Sequence, residues 1–134
     1  MRALICRRFT FEAAHSLPDH PKCGTLHGHS YKLEVTLEGK VDENTGMVLD
    51  FGVLKEIVQR AVLQDVDHKI LNGYLNQYRD LIDGKCAFTP TAEVLVNVFA
   101  ERLKELLKPY TTLELHTVKL WETEDAHAEW TSYV

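Results

Sequence analysis

The sequence predicts an α+β fold, a four-stranded antiparallel sheet with two helices laid on one of its faces. Three observations carry that expectation. Apolar and polar residues alternate towards both ends of the chain, two stripes of helical period lie between them, and the element order is strand, strand, helix, helix, strand, strand (ββααββ). Hydrophobic residues are 45% of the 134, enough for one core, so a single domain over 1–134 is expected.

The first strand closes on Phe9, Phe11, Ala13 and His15, alternating with Thr10, Glu12 and Ala14. The second is cleaner. His27, His29, Tyr31, Leu33, Val35 and Leu37 share one face, and Ser30, Lys32, Glu34, Thr36 and Glu38 the other. The stretch SLPDHPKCGTL between them reads as an irregular loop from its prolines and glycine, which makes the strands an antiparallel pair with a long connection. Turn residues at 42–46 end the pattern. Asp50 suits the N-cap of a helix whose Leu54, Ile57, Val58 and Ala61 fall at i, i+3, i+4 and i+7, ending near Gln64. A second helix is expected with Thr89 as N-cap and Pro90 in its first position. Val94, Leu95, Val98, Phe99, Leu103 and Leu106 form its apolar side, and Pro109 stops it. Residues 113–121 and 126–133 are the closing strands. Residues 73–88 are long for a featureless loop, and Tyr74, Leu75, Tyr78, Leu81 and Ile82 suit a short extra helix or a flap there.

Fifteen Lys and Arg against twenty Asp and Glu leave a formal charge of -5, which argues against nucleic acid or an acidic membrane as partner and for a small molecule. The start, MRALICRRF, is too short an apolar run for a signal peptide, and no later run approaches the roughly 20 apolar residues of a spanning helix, so a cytoplasmic protein is expected. Cys6, Cys23 and Cys86 form no CxxC pair and no even disulfide framework; Cys6 and Cys86 suggest no chemistry.

Seven histidines are present, three of them between positions 15 and 29. His27 and His29 point the same way, and His15 closes the first strand on the corresponding face. In-register pairing would bring three imidazoles together at one end of the sheet, the three nitrogen ligands of a catalytic Zn2+ with its fourth position open. Gly28 fits there as a place where bulk is excluded. His20, His116 and His127 are assigned to the surface. Neutral ligands leave the ion its full charge, which favours polarising a hydroxyl or carbonyl. Cys23 is either a fourth ligand closing a structural site, or a nucleophile or base whose pKa a nearby cation would lower from about 8.5. In VDHKILN, the Asp67 carboxylate can orient the His68 imidazole and raise its basicity, or the pair is a solvated loop end. Glu122, after Trp121, reads on its own as a strand-end charge.

Taken together, FEAAHSLP, CGTLHGHSY, TGMVLDFGVLK, VDHKILN, TPTAEVL and the final WET resemble, in order and over nearly the whole chain, the 6-pyruvoyl-tetrahydropterin synthases and the related 6-carboxy-tetrahydropterin synthases of queuosine biosynthesis. The resemblance implies the tunnelling fold, in which several copies close into a barrel. It implies zinc on His15, His27 and His29, Cys23 as thiolate acid/base, Asp67 and His68 as a second proton-transfer pair, and Glu122 as the anchor of the pterin ring with Thr91 near it. It also implies sites built between subunits of a homohexamer, where Cys23 and His68 meet only in the oligomer. The two free edges of so small a sheet support that assembly, since unpaired edges invite aggregation unless neighbours pair with them.

The cysteine four residues before HGH sets the chain apart from relatives that use a glutamate and make 6-hydroxymethyl-dihydropterin, and FEAAHSLP and CGTLHGHSY look more like the carboxy-forming enzymes. Residues 73–88 are longer than in compact bacterial relatives. The activity implied is a zinc-dependent lyase that converts 7,8-dihydroneopterin triphosphate to 6-carboxy-5,6,7,8-tetrahydropterin, acetaldehyde and triphosphate, with Lys22, Lys32 or Arg8 offsetting the acidic field. The absence of a GxGxxG loop fits a reaction without nicotinamide. The alternatives are the pyruvoyl-forming synthase, which eliminates triphosphate and keeps the side-chain carbons, and a non-catalytic zinc module.

Overall fold

Two fourteen-residue strands, β1 (Arg2–His15) and β2 (His27–Lys40), pair antiparallel along their whole length, from Arg2 opposite Lys40 to His15 opposite His27. They form the spine of a computed structural model that describes residues 1–18, 20–82 and 89–133. Alternation puts Phe9, Phe11, Ala13 and His15 of β1 and Tyr31, Leu33, Val35 and Leu37 of β2 on the buried face, as the sequence pattern requires. Phe11 and Tyr31 stack with ring centroids 4.9 Å apart. β4 (Leu113–Trp121) lies antiparallel against β2, and β5 (His127–Thr131) against β4. At Gly39 an added Cβ would come within 2.7 Å of Leu113 Cβ and 2.9 Å of the Thr112 carbonyl, so only glycine lets β2 approach the start of β4 this closely.

The four expected antiparallel strands are thus present, and the structure adds a fifth. β3 (Lys69–Ile70) pairs in parallel with Ala13 and Ala14 of β1, giving the sheet order β3-β1-β2-β4-β5. Two residues are too few to show a period, which is why alternation did not mark them.

Helix α1 (Phe51–Val58) is capped as expected, with Asp50 Oδ1 accepting from the Gly52 and Val53 amides at 2.7 and 3.4 Å. The helical run ends at Val66, two residues past the expected Gln64, but it is not one regular α-helix. A π-helical turn (Gln59–Leu63) leads into α2 (Gln64–Val66), and the wider turn keeps Ala61, Val62 and Leu63, three residues in a row, all buried. An extra helix does form, α3 (Leu71–Asn76), which starts two residues before the 73–88 segment and is followed by a 3-10 turn (Arg79–Ile82); Leu71, Tyr74 and Leu75 are buried. The remainder of that segment, including Cys86, lies outside the described residues.

The long helix α4 (Ala92–Leu107) begins two residues later than expected. Thr91, not Thr89, is its N-cap, accepting from the Val94 amide at 3.2 Å, while Pro90 stays outside the helix and turns its carbonyl to His15. Leu95, Val98, Phe99 and Leu103 seat α4 on the buried face of the sheet beside α1. Thr91→Ala is expected to lower stability by about 1 kcal/mol through loss of the cap. Denaturant melts of the two proteins measure it, and an unchanged midpoint would contradict the assignment.

Candidate metal centre and active site

The far end of the β1–β2 ladder carries three imidazoles on one face. His15 opposes His27 and His29 opposes Ala13, so the rings of His15, His27 and His29 sit with centroids 4.7, 5.0 and 4.8 Å apart pairwise. One ligand nitrogen from each lies within 4.8 Å of the others, with His15 fully buried and the other two half-buried. His15 Nδ1 lies 2.8 Å from the Pro90 carbonyl, and His27 Nδ1 lies 2.7 Å from the Thr25 carbonyl. A carbonyl only accepts, so in the neutral rings each Nδ1 carries the proton and each Nε2 presents a lone pair. Those two Nε2 atoms face each other at 3.1 Å. Two lone pairs at that distance repel unless a positive charge lies between them. His29 Nε2 is buried without any hydrogen-bond partner. Three ring nitrogens converging, two of them left with lone pairs by carbonyls on the opposite side of the ring and the third buried without a partner, fit a divalent cation that accepts imidazole.

Burial holds the pKa of His29 below the ordinary imidazole value; Glu122 opposes that shift, and His15 and His27 add to it. The unfolded chain therefore binds the His29 proton near pH 6.5, whereas the folded chain does so only at lower pH. The metal-free protein should be most stable above that value and lose stability as pH falls through it. Urea melts at pH 8 and pH 5.5 read this directly, and an equal midpoint at both would contradict it.

Glu122 stands beside the imidazoles. It follows β4, where its amide donates to the Ala126 carbonyl across the β4–β5 turn, and its carboxylate lies 3.6 Å from His29 Nε2 and 4.0 Å from His15 Nε2. The Tyr31 hydroxyl is 3.3 Å from His15 Nδ1, its pKa pushed well above the usual phenol range by burial and, secondarily, by Glu122. A depression of about 490 Å³ opens on the Glu122 side between α4 and the β4–β5 turn, lined by Glu93, Asn97 and His127 among others. A larger one, about 620 Å³, lies on the opposite face of the sheet among Arg8, Thr10, Lys32, Glu34 and Trp121; none of the three histidines lines it. Arg8 is there engaged by Glu34 at 2.7 Å.

Cys23 occupies the loop leading to His27 and is half-buried, but its sulfur is not among the converging ligand atoms. The loop is shaped by His20, whose Nδ1 accepts from the Lys22 and Cys23 amides at 3.1 and 2.9 Å. That bond gives His20 a role beyond the surface placement expected for it. The other two histidines placed at the surface also have partners. His116 is half-buried against Tyr133, and His127 stacks on Trp121 at 4.2 Å. Thr91, at the head of α4, uses its hydroxyl as the helix cap.

Asp67 and His68 lie on the outer edge of β1, beside Glu12. Asp67 Oδ1 accepts from the Glu12 amide at 3.0 Å and lies 3.0 Å from His68 Nδ1, while the His68 amide donates to the Glu12 carbonyl. His68 has φ 61, and its ring is 77% exposed. It borders a shallow depression with Glu12, Ala14, Gly28, His29, Ser30 and Ile70, so one of the three clustered histidines shares that surface. An added Cβ at Gly28 would meet only the Ala13 carbonyl, at 3.6 Å, so the chain's own packing excludes no bulk there, contrary to expectation.

Comparison with known proteins agrees with this architecture. The family model described as 6-pyruvoyl tetrahydropterin synthase matches residues 4–132. A 6-carboxy-5,6,7,8-tetrahydropterin synthase of Haemophilus influenzae is 33% identical over 140 residues, covering 94% of this chain and 96% of that protein. The human 6-pyruvoyl tetrahydrobiopterin synthase is 30% identical over 137 residues, covering 92% and 88%. The structure of the Caenorhabditis elegans 6-pyruvoyl tetrahydropterin synthase superposes with a TM-score of 0.78 at 27% identity, covering 98% of this chain and 96% of that one. With the family model spanning all but the chain's extremities and the fold shared end to end, the chain belongs to the 6-pyruvoyl tetrahydropterin synthase family of enzymes.

Proposed function

We propose that the chain is a zinc-dependent 6-carboxy-5,6,7,8-tetrahydropterin synthase of a 7-deazapurine (queuosine) route, acting on 7,8-dihydroneopterin triphosphate with release of acetaldehyde and triphosphate. The observation that carries this reading is the three-imidazole centre with Glu122 at its side. His15, His27 and His29 would hold the ion, which when bound supplies Lewis acidity to a side-chain hydroxyl of the substrate. Glu122 accepts from the 2-amino group and the neighbouring ring N–H of the pterin, a bidentate charge-assisted pair, and so sets the ring against the centre. Cys23, as thiolate, takes the proton from the side-chain carbon. His68, held by Asp67, exchanges a proton at the adjacent oxygen. Tautomerisation of the pterin then reduces the ring without nicotinamide.

Assembly completes the site in this reading. β1 has no partner on its outer edge from Arg2 to Phe11 among the described residues, and the outer edge of β5 is likewise open. Pairing these edges between copies closes a barrel, removes both liabilities and brings an exposed His68 towards a neighbour's Cys23. A homohexamer of stacked trimers built from this single domain satisfies that geometry.

The carboxy product is favoured by the name of the Haemophilus relative and by the FEAAHSLP and CGTLHGHSY segments. Incubation with 7,8-dihydroneopterin triphosphate and assay for acetaldehyde separates the two products. Acetaldehyde equimolar with triphosphate is expected, and triphosphate alone would establish the pyruvoyl reaction instead. Glu122→Gln presents an NH2 to a ring donor, a mismatch costing on the order of 1–3 kcal/mol. Pterin affinity should fall accordingly with zinc retained, and Glu124→Gln, in the turn beyond, should bind as wild type does. Calorimetry showing equal binding by Glu122→Gln would place the anchor elsewhere.

A further inference from the structure

We propose that Asn72 is a positioning residue that holds the Asp67–His68 pair in register with the metal-ligand end of β1, an inference that rests on the reading of His68 as a proton-transfer group. Residues 67–72 are stitched at three points to β1 and to Ser16, the residue that follows it. At the start, Asp67 Oδ1 and the His68 amide engage both backbone groups of Glu12. In the middle, Lys69 and Ile70 pair with Ala13 and Ala14. At the end, the Asn72 amide closes on Ser16: Oδ1 accepts from the Ser16 amide at 3.0 Å, and Nδ2 donates to the Ser16 carbonyl at 3.0 Å and to its hydroxyl at 3.2 Å. Between the paired Ala14 and the clamped Ser16 stands His15.

A primary amide presents an acceptor and a donor on the same edge, as the N–H and C=O of a single strand residue do, so Asn72 acts as one more rung of the parallel ladder. The rung is needed. β3 has only two residues, and His68 keeps a left-handed backbone that a non-glycine residue holds only when its surroundings impose it. Without the clamp on Ser16, the segment keeps its bonds to Glu12 and the two-residue ladder but loses the anchor at its C-terminal end, and His68 can shift relative to His15.

Asn72→Asp preserves the shape and the bond from the Ser16 amide, but sets a carboxylate against the Ser16 carbonyl; Asn72→Leu removes all three bonds. The test measures zinc content, melting temperature and the pH profiles of kcat and KM for both variants, for His68→Ala, and for His68→Ala combined with Asn72→Asp. A misplaced proton-transfer group lowers kcat by about 10- to 100-fold with KM nearly unchanged. Expected with that loss are retained zinc, displacement of the limb of the kcat profile that His68→Ala abolishes, and no further loss when Asn72→Asp is added to His68→Ala. A lowered melting temperature with unchanged kcat, an additive loss in the double variant, or unfolding of both Asn72 variants would overturn the proposal. Full turnover by His68→Ala would overturn it together with the reading of His68, and that single variant tells the two failures apart.

Discussion

His27→Ala is expected to strip the protein of zinc and of turnover while leaving the fold intact. Its Nε2 faces that of His15 at 3.1 Å, and the ring is half-exposed, so truncation removes a ligand without opening a cavity in the core. Loss of a supporting group outside the ligand set already costs about 10- to 100-fold in metal affinity, and loss of a ligand should cost more. His15→Ala should do the same with an added stability penalty, because His15 is fully buried and bonded to the Pro90 carbonyl. Metal analysis after dialysis, alongside thermal melts, separates these outcomes. Full zinc content in His27→Ala would contradict the three-imidazole centre.

Cys23→Ala and His68→Ala should each keep zinc and lose turnover by about 10²- to 10⁴-fold, the range for removing a proton-transfer group. The His68 ring is 77% exposed, and the Cys23 sulfur is outside the ligand group, so neither truncation disturbs the centre. If one site takes Cys23 from one subunit and His68 from another, equal mixing of the two inactive proteins with subunit exchange should restore roughly a quarter of wild-type activity, the share of interfaces with both contributors intact. No recovery after demonstrated exchange would place both residues in one subunit's site. Loss of zinc from Cys23→Ala would favour the closed structural site.

The ends of the chain were legible because their burial alternates. The period of two in Phe9, Phe11, Ala13 and His15 and in the run from His27 to Leu37 specifies both strands, and with them the convergence of the histidines. What local pattern could not show were features decided by single contacts. Thr89 and Thr91 are equally good caps by type, and the choice fell to Thr91 because Pro90 turns its carbonyl to His15. The π-helical turn answers the burial of Ala61, Val62 and Leu63 in a row, which an α period does not anticipate. Glu122 reads as a strand-end charge until the β4–β5 turn brings it to His29. Asn72 had no signal of its own beyond its place at the end of VDHKILN, since its partner, Ser16, is 56 residues away.

The fourteen-pair ladder between β1 and β2 also determines which parts of the chain are free to change. His15 and His27 are its last pair, so their separation is set by the register of the strands and not by the length of the loop that joins them. A slip of one residue would turn both ligands of β2 to the opposite face, and the thirteen pairs behind them resist it. The loop touches the histidine cluster only near its end, where the Thr25 carbonyl meets His27 Nδ1, and its length does not set the separation of the ligands. Insertions or deletions between Ser16 and Lys22 would move Cys23 while leaving His15, His27 and His29 where they are. On the proposed function, a scaffold of this kind would let a loop be edited around Cys23 while the strand pair that sets the three imidazoles is conserved.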